Sequence, residues 1–149
     1  MDAAVILQDY LDVVGAAVMA GDWETYRSKV CIPFNLVTHS ANITVDTQDM
    51  LRDGYDTFCS TLKSQRVTDY IRLVQSAARL DTNLISGSYV THIIASDTRV
   101  VPPYRSQITL RWECEMWTAA SITNELTNHR WPLLVPSPAD FPSSEGTPT

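Results

Sequence analysis

Met19-Ala20-Gly21-Asp22-Trp23 is the stretch from which the rest of the chain can be read. An apolar helical pattern stops at Gly21, Asp22 opens a new one, and Trp23 and Tyr26 fall on its first turn. Glycine just past a helix end tolerates left-handed φ, and aspartate at an N-cap accepts the free N–H groups of the following helix. One helix therefore ends and a second begins within about two residues, with a large indole held at the corner.

Upstream of this corner, Leu7, Leu11, Val14 and Val18 repeat as i, i+4, i+7, i+11, and Ile6, Tyr10 and Ala17 widen the stripe. That spacing predicts a helix over 3–20 laid on a core. Downstream, a short helix is expected over 22–29, with Pro33 closing the region because the residue before proline avoids the α conformation. Residues 34–38 and 43–45 read as strands, with Ser40-Ala41-Asn42 turning between them. Thr47 (or Asp46) can cap a third helix, in which Leu51, Tyr55, Phe58 and Leu62 share a face. Gly54 inside it costs about 1 kcal/mol against alanine, so a close-packed neighbour is expected there.

After Lys63 the period changes to two. Long strands are predicted over 69–80 and 84–96, with Asp81-Thr82-Asn83 as the turn between them. Residues 97–104, with Pro102-Pro103, form a loop that cannot ladder. Over 105–113, Ile108, Leu110 and Trp112 fall on one face and Gln107, Thr109, Arg111 and Glu113 on the other. Cys114-Glu115 is a tight turn, and 116–128 is the last strand. Three helices with a small hairpin, then four long antiparallel strands, is an α+β order: three N-terminal helices on a curved, mostly antiparallel sheet.

Composition bounds the rest. The chain has 149 residues, 44% apolar and 19% charged, which suits one domain with a real core. The expected division is a cone domain over 1–131 and a proline-rich tail over 132–149. That tail has five prolines, yet Leu133, Leu134, Val135 and Phe141 suit docking on the domain or across a dimer. The net charge of −6 with 11 scattered Lys and Arg argues against nucleic acid. No apolar run approaches the roughly 20 residues of a membrane span, so no membrane role is expected. Asp2, Asp9 and Asp12 precede any basic residue, which argues against a secretory signal. Cys31, Cys59 and Cys114 then read as reduced thiols, and a cytoplasmic location is expected.

The element order, with Ala20-Gly21-Asp22-Trp23 and Tyr26, resembles the nuclear transport factor 2-like superfamily and its SnoaL-like branch. Pro103-Tyr104-Arg105-Ser106 through Leu110-Arg111 to Trp117 is similar to the last hairpin of those proteins, and Ile122 to Leu126 to their final strand. The resemblance covers about residues 5–130. It implies a cystatin-like half-open cone barrel with a cavity under the helices, and homodimers formed through the sheet. Functions in the superfamily run from isomerase, cyclase and dehydratase to binding and assembly modules, so fold alone does not decide function.

The family's enzymes can be tested residue by residue. Ketosteroid isomerases need an aspartate base and an oxyanion hole of a tyrosine and a protonated aspartic acid. By the resemblance those positions fall on Thr38, Val14 and near Gln107, so that chemistry is absent. Cyclases of the SnoaL type use an aspartate on a late strand, but no Asp lies between Asp97 and Asp140, and Glu125 is the only acid on the last strand. Dehydratase-like members use histidine and tyrosine. That leaves His39 or His92 as a base, with Tyr55 as a donor, for a cofactor-free lyase or isomerase. Against it stands the plainer reading of His92 as a sheet residue and the tyrosines as core.

Tyr10, Trp23, Tyr26, Phe58, Tyr89 and Trp112 are the candidate lining of a pocket for a small hydrophobic organic molecule, bound without turnover. More often such aromatics simply fill the core, and packing is the favoured reading for Trp23, which bridges two helices. The third alternative is a protein-assembly module using the outer sheet face. No cofactor and no metal are expected: the histidines and cysteines lack ligand spacings such as Cys-x-x-Cys or His-Glu-x-x-His.

Overall fold

A computed structural model of the chain describes residues 2–39 and 41–125. The proline-rich tail, and the predicted end of the last strand at Asn128, lie outside the described residues.

Helix α1 spans Ala3–Ala20 and buries the predicted stripe of Leu7, Leu11, Val14 and Val18. Gly21 ends it at φ 73°, and the Asp22 N–H reaches back 2.8 Å to the Ala17 carbonyl, a Schellman-type stop. Asp22 then caps α2 (Trp23–Ser28) by accepting from the Thr25 N–H at 3.2 Å and the Thr25 hydroxyl at 2.7 Å. Thr47, rather than Asp46, caps α3 (Gln48–Ser64), accepting from the Met50 N–H at 3.1 Å. Contrary to the expectation from apolar runs, α1 is long and apolar enough by composition to cross a membrane, with mean hydropathy 1.5. Its Leu7 and Leu11 are instead packed in the core at 0% and 1% exposure.

The strands are β1 (Val30–Val37), β2 (Asn42–Val45), β3 (Asp69–Asp81), β4 (Leu84–Ala95), β5 (Thr98–Arg99), β6 (Tyr104–Glu113) and β7 (Met116–Asn124). The sheet order is β2-β1-β7-β6-β4-β3, with β5 added beside β4. Every pairing is antiparallel except β1 with β7, which is parallel. That pairing joins the small hairpin to the long strands in one sheet.

Two local expectations are corrected. β1 begins at Val30, not Phe34, and holds Pro33 inside it after a cis Ile32–Pro33 bond. Proline can sit there because the β1–β7 register is irregular between Val30 and Asn35, where its missing N–H breaks no ladder bond. The loop before β6 is also not wholly unpaired, since Thr98 and Arg99 bridge to Ala95 and Ile94. The Cys114-Glu115 turn is as read: both residues take positive φ, 50° and 63°, as a type I′ hairpin demands.

Register shifts between Val74 and Ser76 and between Thr109 and Leu110 bend the sheet. The helices cover its concave face. Gly87 in β4 lets α1 approach, because a Cβ there would lie 2.5 Å from Leu7 Cδ2 and 2.8 Å from the Ser76 carbonyl oxygen. A second device holds α1 against the sheet's free edge. The Gln8 side-chain amide donates from Nε2 to the Arg72 carbonyl at 2.8 Å and accepts from the Val74 N–H at 3.0 Å. It thus occupies the place that a further strand would take beside β3.

Candidate functional site

Under the helices lies a cavity of about 70 Å³. α1 supplies Tyr10 and Val14, α2 Tyr26 and α3 Phe58; β3 supplies Tyr70 and Arg72, β4 Tyr89 and Thr91, β6 Tyr104 and β7 Asn124. Phe34, Leu36 and Ile122 complete an apolar wall at the β1–β7 side.

The polar groups are hydroxyls around one cation. Arg72 is 8% exposed, and its Nη2 donates to the Leu11 carbonyl at 3.1 Å. Its guanidinium lies 5.2 Å from the ring centre of Tyr70 and 5.5 Å from that of Tyr89, within cation–π range. Phe58 braces Tyr70 edge-on at 5.4 Å. Tyr10 donates to the Lys29 carbonyl at 2.7 Å, and Ser106 donates to Asn124 Oδ1. Burial pushes the Tyr10, Tyr26 and Tyr104 hydroxyls well above the ordinary tyrosine range and Tyr70 up to about 12, against the pull of the Arg72 charge. Arginine keeps its proton at any pH of interest. At neutral pH, then, the described lining carries one positive charge and no carboxylate, histidine or cysteine.

The candidate residues read from the sequence divide by place. Tyr10, Tyr26, Phe58 and Tyr89 line the cavity. Trp23 and Tyr55 lie instead at the α2–α3 corner: Trp23 stands 5.2 Å from Tyr55 and 6.2 Å from Tyr26, with the Arg52 guanidinium 4.9 Å over its ring. The Tyr55 hydroxyl faces the Ala17 carbonyl at 3.4 Å. His39 is exposed at the end of β1. His92 points to the outer face, because Thr91 and Ile93 on either side of it are buried, and its Nδ1 accepts from Arg99 Nη1 at 2.8 Å. Trp112 shares the inward parity of Leu110 but overshoots the helix layer. It is 41% exposed, packed edge-on against Trp117 at 5.4 Å in a groove beside Ile6 and Val13.

Of the family's catalytic positions, Val14 does line the cavity, and the Thr38 hydroxyl accepts from the Ala41 N–H. Gln107 is exposed, and Glu125 pairs with Arg105 at 3.4 Å with both half in water.

Tyr70, Arg72 and Tyr104 belong to the site and were not singled out from the sequence. The one signal was that Tyr70 and Arg72 share a parity on their strand. It was masked by Ile71 and Leu73, which make the opposite face look like the inward one although they are 40% and 50% exposed.

No protein-family model matches the chain, and no curated protein matches it. Solved structures do. An NTF-2-like protein of unknown function from Shewanella oneidensis superposes with TM-score 0.60 at 8% identity, covering 81% of this chain and 97% of its own. A domain with a cystatin-like fold from Nostoc punctiforme gives TM-score 0.64 at 10% identity, covering 83% and 76%. An NTF2-like protein from Cytophaga hutchinsonii gives 0.55 at 11%, covering 84% and 98%. None of these three singles out the SnoaL-like branch. At such identities the likeness shows the fold alone: the chain has an NTF2-like, cystatin-like α+β cone fold.

Proposed function

We propose that this domain binds a small organic molecule in the cone cavity and does not turn it over. The observation that carries the reading is the cavity's chemistry: an apolar and aromatic wall, tyrosine hydroxyls held protonated, and no proton acceptor of ordinary basicity among the described lining residues. General acid–base turnover needs a group that can take a proton near neutral pH, within hydrogen-bond reach of the substrate. His39 and His92, the bases of the lyase or isomerase alternative, stand outside the cavity.

Phenol and toluene serve as neutral probes. Titrated into the isotope-labelled full chain, they should shift amide resonances of α1, β3, β4 and β7 around the cavity. Val14→Phe, which fills the space, should abolish the shifts. Shifts that survive in Val14→Phe, or that map to the Trp112–Trp117 groove, would count against the reading.

The expected self-association through the sheet belongs to the same proposal. Ile71 and Leu73 present apolar surface on the outer face of edge strand β3, and light scattering with Ile71→Lys/Leu73→Lys tests it.

A further inference from the structure

The reading above leaves the ligand's chemistry open, and one buried group narrows it. Arg72 is the sole charged residue among the described lining residues of the cavity. The four surface ion pairs of the described residues, Arg27–Glu24, Arg52–Asp56, Arg105–Glu125 and Arg111–Glu113, do not include it. Its polar neighbours are neutral: the Leu11 carbonyl takes one N–H, and the Tyr89 hydroxyl lies beside the guanidinium. The aromatic faces of Tyr70 and Tyr89 supply only quadrupole. A guanidinium has five N–H donors in a planar fork and cannot shed its charge, so burial without an anion leaves it poorly compensated.

We infer that the cavity recognises a small organic monocarboxylate, its carboxylate engaged by the Arg72 fork and its apolar stem packed against Phe58 and Val14; this rests on the cavity being the binding site. Three features select that class. The planar fork matches a carboxylate in bidentate geometry. A single positive charge balances a monoanion, whereas a phosphate group near neutral pH carries up to two charges and would remain uncompensated. The volume of about 70 Å³ is about half of the roughly 150 Å³ in which a closed apolar cavity holds benzene, but the pocket is partly open, so the enclosed part of the ligand is short and the rest of a ring-sized molecule lies in the mouth. Tyr70, protonated and in the same lining, adds a neutral hydroxyl donor to the cavity.

The position of the fork is built in. Gln8 pins the Arg72 carbonyl and the Val74 N–H to α1, while the Arg72 guanidinium returns to Leu11 on that same helix. Backbone and side chain of the one residue are thus tied to α1 from opposite ends.

The test uses matched pairs (acetate with acetamide, butanoate with butanamide, benzoate with benzamide) titrated by NMR into the full chain at low chloride, beside phenol and toluene. At least one carboxylate should bind about tenfold or more tightly than its amide, the size of a charge-assisted hydrogen bond. Arg72→Met should erase that preference while still taking up phenol. Should Arg72→Met fail to fold, the Arg72 Nε–H resonance of the unaltered protein decides, since it should move with the carboxylate and not with the amide. If phenol or toluene binds in the cavity but no carboxylate outdoes its amide, or if the preference survives Arg72→Met, the anion assignment falls and the binding domain stands. If no probe perturbs the cavity resonances, both fall.

Discussion

Gln8→Ala tests the contact that ties the first helix to the edge of the sheet and so sets the position of Arg72. Besides an exposed bond donated to the Asp12 carboxylate at 3.0 Å, the Gln8 amide makes two to β3: it donates to the Arg72 carbonyl at 2.8 Å and accepts from the Val74 N–H at 3.0 Å. Each such bond contributes about 0.5–1.5 kcal/mol net, so losing both costs about 2 kcal/mol. The alanine is a better helix former by a few tenths of a kcal/mol, which offsets a little of this. The freed β3 groups are at an edge where water can reach them, which keeps the loss at the low end. The expected net change is about 1.5 kcal/mol, which at this chain length lowers Tm by about 3–6 °C. Urea unfolding gives the global number, and amide exchange at Val74 gives a local one, since its N–H loses its only acceptor outside the ladder. Protection at Val74 should fall by about tenfold relative to amides of β6. Stability unchanged within about 0.5 kcal/mol, with Val74 protection intact, would show that the clamp holds nothing.

Other perturbations follow from the same geometry. Gly87→Ala places a Cβ 2.8 Å from the Ser76 backbone oxygen, which cannot swing aside like the Leu7 side chain, so a loss of about 1–3 kcal/mol is expected in chemical unfolding. Trp23→Ala removes a partly buried indole from Tyr26, Tyr55 and Arg52, and should cost about 3 kcal/mol, the low end for an aromatic truncation; a variant melting like the parent would remove the corner from the fold's support. The buried tyrosines predict alkaline sensitivity. Their folded pKa values lie above the unfolded value of about 10, so their contribution is complete below that pH and is lost as pH rises through the folded values. Absorbance at the tyrosinate band should therefore rise together with loss of helical circular dichroism. Ionisation of all the tyrosines near pH 10 with the fold intact would contradict the burial.

What the sequence determined by itself is local. Gly21 and Asp22 stop one helix and start the next because left-handed φ and a side-chain cap are properties of those residues. Thr47, the Thr82-Asn83 turn and Cys114-Glu115 act in the same way, and their order along the chain was enough for an α+β assignment.

Which face of each strand looks inward was decided only by the tertiary structure. Period two says that a strand has two faces, but Ile71 and Leu73 oppose Tyr70 and Val74 on β3, and Val90 and Ile94 oppose Tyr89 and Ile93 on β4. With both faces apolar, the choice falls to non-local facts: the bulges, the parallel β1–β7 pairing and the approach of α1 over Gly87. That choice put His92 outside and Arg72 inside. It turned a cavity expected to be apolar, with a histidine base only as the alternative, into one centred on a buried cation.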